Sequence, residues 1–132
     1  MGQAVLNPPN AILFVLDPTN KNIVVPPYVD DELTAATNTC VSVGTQAEID
    51  GETEVRLETG AITCADLQQV FLGVIATPGN RGAVVTSNFQ CVLEAEVPGG
   101  TVEVSIWVDD LREPACVTIG VRPLPTSING GT

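Results

Sequence analysis

Two alternating runs of apolar and polar residues, on either side of Pro98-Gly99-Gly100, constrain the fold of this chain more than any other stretch. The runs extend from Cys91 to Asp110, and each has the two-residue period of a β-strand that is buried on one face. In the second run one face carries Val102, Val104, Ile106 and Val108, and the other carries Glu103, Ser105, Trp107 and Asp109. A Pro-Gly-Gly turn between two such runs predicts a β-hairpin.

Short runs of strand-forming residues, separated by turn residues, recur along the rest of the chain. Strands are predicted within 11–16, 40–49, 53–58, 70–76, 83–86, 91–97, 101–108 and 116–121. Asp50-Gly51 predicts a second hairpin, and residues 61–76, which also fit a helix face, are interpreted as a short helical turn at 64–68 followed by a strand. We therefore predict an all-β, single-domain antiparallel β-sandwich or jelly-roll-like barrel of about seven or eight short strands. Residues 1–10 are expected to be an extended N-terminal arm, 11–125 the β-sandwich domain and 126–132 a C-terminal tail.

The run from Ala11 to Leu16 has no polar side and predicts a strand that is covered on both faces. Turn residues at 17–22 and a second apolar run at 23–25 predict an N-terminal hairpin. The cover is either the core of the same chain or a neighbouring subunit, and the sequence does not choose between them. Ile12, Phe14 and Leu16 are accordingly candidate interaction residues.

Sixteen acidic residues against five basic ones give the chain a formal net charge of −11. A charge of this sign repels nucleic acids and anionic membrane surfaces, so the sequence excludes both as partners. It is compatible with basic proteins and with cations, and it also promotes solubility by itself. The sequence therefore favours a protein partner, including further copies of the chain in a homo-oligomer.

Side chains for catalysis are scarce. The chain has no His, so no imidazole is present to activate a thiol, and we predict a protein that is not an enzyme. The cysteines, which are candidate disulfide partners or free thiols, are Cys40, Cys64, Cys91 and Cys116. Their wide spacing lacks the close pairs of structural zinc sites, and no cofactor motif is present. Alternation points Cys91 inward and places Cys40 and Cys116 opposite their apolar neighbours.

Two acidic clusters and the single Trp are the remaining candidates for binding. The clusters are Asp30-Asp31-Glu32 and Asp109-Asp110 with Glu113. Carboxylate oxygens of this kind either bind Ca²⁺ or belong to a solvated loop. Trp107 lies on the polar face of its strand, where it is either an interface anchor or is packed beneath a further layer. Glu103, Trp107 and Asp109 are therefore candidate interaction residues.

These features predict a non-catalytic structural or interaction protein that assembles into a larger complex. The start of the chain has no basic segment before an apolar stretch, which predicts synthesis in the cytoplasm without a signal peptide. Few charged residues and an apolar N-terminal run favour a virion component, such as a capsid decoration, cement or fibre protein of a tailed phage. The alternative is a carbohydrate- or peptide-binding β-sandwich module, and a Ca²⁺-dependent or hydrolytic protein is the third hypothesis.

Overall fold

The computed structural model describes residues 2–29, 32–60 and 62–124, which contain ten β-strands. The strands are β1 (Gly2–Leu6), β2 (Ile12–Leu16), β3 (Thr34–Ala36), β4 (Cys40–Gly44), β5 (Thr53–Thr59), β6 (Gln68–Ala76), β7 (Arg81–Thr86), β8 (Cys91–Glu96), β9 (Thr101–Val108) and β10 (Cys116–Pro123). Short 3₁₀ segments at Pro9–Ala11 and Glu48–Asp50 interrupt two connections, and the described residues include no α-helix. No helix in this part of the chain is long and apolar enough to span a membrane.

The strands form two five-stranded sheets around one core. Sheet A has the order β1-β5-β10-β9-β6, and sheet B has the order β3-β4-β2-β7-β8. Neighbouring strands are antiparallel except β5 and β10, which are parallel. The prediction of an all-β, single-domain sandwich is confirmed, although the strands are more numerous than expected.

Alternation along each strand decides which side chains enter the shared core. In β9, Val102, Val104, Ile106 and Val108 are fully buried, as their spacing predicts. Ile106 faces Ile119 of β10, and both belong to a cluster that includes side chains from sheet B. Burial of each such side chain contributes about 1.5–3 kcal/mol, so this layer is the main source of folding free energy.

The hairpin predicted around Pro98-Gly99-Gly100 is wrong, although both of its strands exist. β8 belongs to sheet B and β9 to sheet A, so the chain crosses between the sheets at this turn. Gly99 and Gly100 have φ values of 108° and 75°, and the carbonyl of Gly100 accepts the N–H of Thr77 at 2.8 Å. Strands on opposite sheets turn their apolar faces to the same core, so their alternation does not distinguish a hairpin from a crossing.

The hairpin predicted at Asp50-Gly51 is wrong for the same reason, because β4 lies in sheet B and β5 in sheet A. The hairpins that form are β3–β4, β7–β8 and β9–β10. The strand predicted within residues 70–76 is confirmed as β6. A single turn precedes it, in which the N–H of Leu67 donates to the carbonyl of Cys64 at 3.1 Å.

The N-terminal residues are part of the sandwich. Within the segment expected to be an extended N-terminal arm, residues Gly2–Leu6 pair antiparallel with β5 at the edge of sheet A. β2 lies between β4 and β7 in the middle of sheet B, and residues 23–25 do not pair with it as a hairpin. Val24 donates its N–H to the hydroxyl of Thr39 at 2.8 Å instead. A run without a polar side belongs in a strand covered on both faces, because either face would otherwise expose apolar area to water.

A buried carboxylate joins the end of β2 to the turn between β6 and β7. Asp17 is fully buried and accepts the N–H and hydroxyl of Thr19, at 2.8 and 2.7 Å, and the N–H of Gly79 at 2.6 Å. A Cβ at Gly79 would lie 1.7 Å from Thr19 Oγ1, so only glycine fits there. These donors compensate the carboxylate for the loss of water, and they fix the loop that leaves β2.

Candidate interaction surfaces

The outer face of sheet B carries a second apolar layer, distinct from the shared core. This outer cluster consists of Phe14, Leu16, Cys40, Ala83 and Val85, with Ile12 and Ile23 packed against it. Phe14 has 7% of its surface exposed, and Leu16 is buried as well. Residues of the same chain therefore cover most of β2. Of the two covers that the sequence allowed, the same chain and a neighbouring subunit, the structure shows the first.

Ile12 and Phe14 also line a cleft between the start of β2 and the loop that follows this strand. The loop side of the cleft consists of Val25, Pro26, Pro27, Tyr28 and Val29. We call this feature the sheet B cleft. Its volume is about 370 Å³, within the range of about 300–1,000 Å³ that binding sites occupy.

Three of the polar side chains that line the sheet B cleft have partners, and the lining also includes Glu32. Ser42 donates its hydroxyl to the carbonyl of Ala35 at 3.4 Å, and the side chain of Asn10 donates to Ser87 Oγ at 3.0 Å. Because Ser42, Asn10 and Ser87 are engaged in these bonds, the rest of the lining is mainly apolar apart from Glu32. The cleft is therefore suited to an apolar side chain of a partner.

Exposed apolar side chains lie in this cleft or next to residues that line it. Tyr28 is 80% exposed, and Phe89 is 58% exposed. The ring of Phe89 stacks on that of Phe14 with centroids 6.2 Å apart and an interplanar angle of 11°. Val29 and Leu111 are also exposed. An apolar patch that faces water beside a recess is typical of a surface that contacts another protein.

A more polar cavity of about 580 Å³ continues from the sheet B cleft. Both cavities share Tyr28 and Leu33 in their linings, so they lie side by side, and we call the two together the depression. The polar end adds Thr45 and Arg112, and Glu32 lines both. The depression thus combines an apolar end with an end that can accept charged or hydrogen-bonding groups.

Trp107 lies on the outer face of sheet A, as alternation predicts, and it is half-buried. Ile62 lies across this face, where a Cβ at Gly120 would come within 2.9 Å of its side chain. Trp107, Ile62 and Leu72 line a cavity of about 240 Å³. The indole Nε1 is buried without an acceptor among the described residues, which is an uncommon state for a buried donor.

Glu103 lies on the same outer face, two residues before Ser105 and opposite Arg122 of β10. The guanidinium Nε of Arg122 donates to the Glu103 carboxylate at 2.6 Å. Both side chains are partly exposed, so solvent screens the attraction, and the ion pair contributes modestly to stability. The ion pair also neutralises both charges, so this part of the outer face has no uncompensated charge.

Asp109 and Asp110 hold the loop between β9 and β10 together. Asp109 accepts the N–H groups of Ala115 and Cys116, both at 3.0 Å. Asp110 accepts the N–H groups of Glu113 and Arg112, and these donors hold the pKa of its carboxyl below the usual value. The residues therefore have a structural role, independent of any partner.

No group of three or more acidic or Cys side chains is arranged to hold a metal ion in the described part of the chain. Glu113 lies in the loop that Asp110 holds, where it contributes its backbone N–H to that carboxylate. Asp30 and Asp31 of the other predicted cluster lie outside the described residues. Glu32, the remaining member, faces the depression next to the sheet B cleft.

All four cysteines are free thiols. Cys40 is buried in the outer cluster, and burial raises the pKa of its thiol to about 12. Cys64 and Cys116 are half-buried, and burial raises their thiol pKa as well. Cys91 is exposed, contrary to the prediction that it points inward, because the β7–β8 register shifts between Val84 and Val85. A bulge of this kind reverses the face on which the next side chain lies.

The structure places the predicted interaction residues on two separate surfaces. Ile12, Phe14 and Leu16 belong to sheet B. Glu103 and Trp107 belong to β9 of sheet A, and Asp109 follows that strand. Sequence reasoning missed Tyr28 and Phe89, the most exposed aromatic residues at the sheet B cleft. The available signal was an apolar segment, Val24-Val25-Pro26-Pro27-Tyr28, that cannot pair as a strand because of its prolines.

Fold and surfaces together define a small acidic β-sandwich of two five-stranded sheets, with an apolar depression on one outer face. Two solved structures share the fold. ComJ from Bacillus subtilis, described as an inhibitor of the DNA-degrading activity of NucA, matches with a TM-score of 0.65 and 14% identity over 94% of this chain and 96% of ComJ. A protein described as crocagin biosynthetic gene J matches with a TM-score of 0.58 and 14% identity, over 93% of this chain and 96% of that one.

No family model and no curated protein sequence matches the chain. The hypothesis of a virion component, such as a decoration, cement or fibre protein of a tailed phage, is wrong, because the two solved structures that the chain resembles are of a nuclease inhibitor and a biosynthesis protein. That hypothesis depended on an apolar N-terminal run that needed a cover. The outer cluster of sheet B supplies the cover from the chain itself.

Proposed function

We propose that this chain is a non-catalytic binding protein that docks the sheet B cleft onto a basic protein and thereby masks that protein's functional surface. The observation that carries the proposal is the exposed apolar rim, where Tyr28 and Phe89 lie in solvent beside an apolar recess. Aromatic side chains at the centre of an interface supply a large share of the free energy of protein binding.

The charge of the chain supports a basic partner. A net charge of −11 on 132 residues attracts proteins of opposite sign and accelerates their association. Glu32 brings a carboxylate to the depression itself, beside the apolar end. An apolar recess on a strongly acidic chain is complementary to a partner that presents an apolar side chain among Lys and Arg residues.

The structural likeness suggests which kind of basic protein to test first. ComJ is described as an inhibitor of a DNA-degrading activity. An enzyme that binds DNA has a positively charged substrate surface, because DNA carries one negative charge per phosphate. An acidic protein that covers such a surface competes with the substrate. We therefore favour a nuclease as the partner of this chain.

The side chains present support a role without catalysis. The chain has no His, and burial raises the pKa of each of its four thiols, which disfavours the reactive thiolate. Inhibition by masking needs only surface complementarity. The homo-oligomer expected from the sequence is a separate proposal and concerns a different surface.

The test is a DNA-degradation assay with plasmid DNA and an extract of cells that naturally make this protein. Adding the purified chain is expected to slow degradation in proportion to its concentration, and high salt is expected to weaken the effect because ions screen the attraction. The immobilised chain is expected to retain a basic nuclease from the same extract at low salt. Degradation at an unchanged rate, with no nuclease retained, contradicts the proposal.

Matched variants locate the surface. Tyr28→Ser is expected to raise the concentration needed for half-maximal inhibition by at least about tenfold, since it removes an exposed aromatic anchor. Val5→Ser is the control, because Val5 is an exposed apolar residue on β1 at the edge of the other sheet. Equal effects of the two substitutions argue against the sheet B cleft as the binding surface.

A further inference from the structure

The four strands at the edges of the two sheets differ in how well they are protected from pairing with another chain. β3 has three residues and β1 has five, and β8 carries Glu94 and Glu96. β6 is the longest strand, with nine residues, and contains neither a charged residue nor a proline. Natural sheets protect their edges by short strands, charges, prolines and β-bulges, and of these β6 has only a bulge, between Gln69 and Phe71.

The free side of β6 presents backbone hydrogen-bonding groups at two positions. The N–H of Thr77 points toward β9 and donates to Gly100 at 2.8 Å, whereas that of Ala76 points away and donates to Asn38 at 2.8 Å. Backbone groups alternate along a strand, so those of Val74 and Leu72 point away from β9 as well. No other strand of residues 2–29, 32–60 and 62–124 lies on that side.

The side chains next to this edge are apolar and without net charge. Leu72 is 60% exposed and Val74 is 46% exposed on the outer face of sheet A. Their neighbours across β9 are Ser105 and Glu103. Glu103 is neutralised by Arg122 at 2.6 Å, so the nearest carboxylate adds no uncompensated charge. The edge strands β1 and β3 are uncharged as well, but β6 is much longer than either of them.

We propose that β6 pairs antiparallel with β6 of a second copy of this chain about a two-fold axis at Gly73. Leu72 of each copy then exchanges backbone hydrogen bonds with Val74 of the other, and their side chains form cross-strand pairs on one face. Gly73 faces its counterpart at the axis, where neighbouring Cα atoms approach closely. The ring of Phe71 already covers Gly73 on the inner face, 2.7 Å from where a Cβ would lie, so the pairing leaves the core closed.

A second copy fits this edge better than a basic partner does. The edge is self-complementary, since Leu72 and Val74 exchange places under the two-fold rotation. A neutral strand offers no attraction to a basic protein, but it is the place where two chains of the same sign repel each other least. Asn38 closes the free side at Ala76 and a bulge lies between Gln69 and Phe71, so the paired segment is short and the dimer dissociates on dilution.

Salt distinguishes this association from the proposed binding of a basic protein. Both copies carry a net charge of −11, so raising the ionic strength screens their repulsion and favours the dimer. The same change weakens binding of a partner with opposite charge. Failure of one proposal therefore leaves the other standing.

The experiment is sedimentation velocity of the full chain over roughly a hundredfold range of concentration, at low and at high salt. The mean mass is expected to rise above 13.7 kDa with concentration, and to rise further at high salt. A mass that stays at 13.7 kDa under all these conditions overturns the proposal. So does a dimer that salt weakens. Both measurements use the unaltered protein, so they do not depend on the folding of a variant.

Substitutions then test the strand. Val74→Lys is expected to raise the dimer dissociation constant at least about tenfold, or about 1.4 kcal/mol, although it lowers the net negative charge of the chain. Val5→Lys introduces the same charge on β1, at the opposite edge of sheet A, and is expected to leave the constant unchanged. A dimer that survives Val74→Lys, or that both substitutions weaken equally, rules out the β6 edge.

Discussion

The two outer faces of the sandwich differ in how they are protected from water: one is covered by apolar side chains, and the other is largely polar. Sheet B buries its outer face under the loop that follows β2, which produces a second apolar cluster and leaves a cleft with an exposed rim. Sheet A leaves its outer face largely polar, with an ion pair between Glu103 and Arg122 and a half-buried Trp107. A covered face stabilises the fold through apolar burial, whereas a polar face stabilises it little and stays available for contacts.

Removing the ring of Phe14 is expected to have the largest effect. Phe14→Ala deletes a buried side chain of the outer cluster and leaves a cavity, so we expect the free energy of unfolding to fall by about 3–5 kcal/mol. Phe89→Ala is the control, because Phe89 stacks on Phe14 but is mostly exposed. Urea denaturation measures both variants. Similar losses in the two would show that sheet B has no buried outer layer.

Thiol labelling compares the buried layer of sheet B with an exposed site on its edge. Burial raises the pKa of Cys40 to about 12, so we expect this thiol to react with iodoacetamide at least about a hundredfold more slowly than exposed Cys91 in the native protein at pH 8. Mass spectrometry of peptides measures the two rates. Because the folded state binds the Cys40 proton more tightly, its contribution to stability is fully present below the ordinary thiol pKa and is lost as pH rises toward 12. Rapid labelling of Cys40 in the folded protein would contradict the buried layer.

Substitutions of Trp107 test how deeply the outer face of sheet A is buried. Trp107→Ala is expected to lower the free energy of unfolding by about 2 kcal/mol, less than Phe14→Ala, because the ring is only half-buried. Trp107→Phe removes the unpaired Nε1 donor together with part of the ring, so we expect stability within about 0.5 kcal/mol of the original. Thermal and urea denaturation check both values. A loss as large as that of Phe14→Ala would mean that sheet A also has a buried outer layer.

The Glu103–Arg122 ion pair is expected to contribute least. Glu103→Gln should cost no more than about 1 kcal/mol in urea denaturation, and the difference should shrink in high salt, because both side chains are partly exposed. Arg122→Gln is the companion variant, and the double variant measures the coupling between the two charges. A cost above that of Trp107→Ala would indicate a buried pair.

Much of the core could be predicted from local pattern. The alternation of residues 101–108 correctly assigned four side chains to the core and Trp107 to the outer face. The unbroken apolar run at 11–16 correctly predicted a strand covered on both sides. These assignments succeed because the two-residue period of a strand is a property of the backbone alone.

Pairing and surface features were harder to predict, for identifiable reasons. None of the three predicted hairpins forms. Two of them failed at glycine-containing turns, since such turns also serve a chain that crosses between sheets, and in the third residues 23–25 do not pair with β2. The bulge in β8 exposes Cys91, and nothing in the local sequence marks it. Tyr28 lines the sheet B cleft and Phe89 stacks on Phe14 of its lining, yet the two lie far apart in sequence on different loops, so only the folded chain brings both to this region.

The sequence by itself determined the fold class, the inward and outward faces of most strands, and the net negative charge of the chain. These properties depend on residue identity and on a period of two along the backbone. The tertiary structure decided which sheet each strand joined, what covered Phe14, and that β6 became an unprotected edge. Those outcomes depend on contacts between residues distant in the chain, and alternating strands in either sheet satisfy the same local pattern.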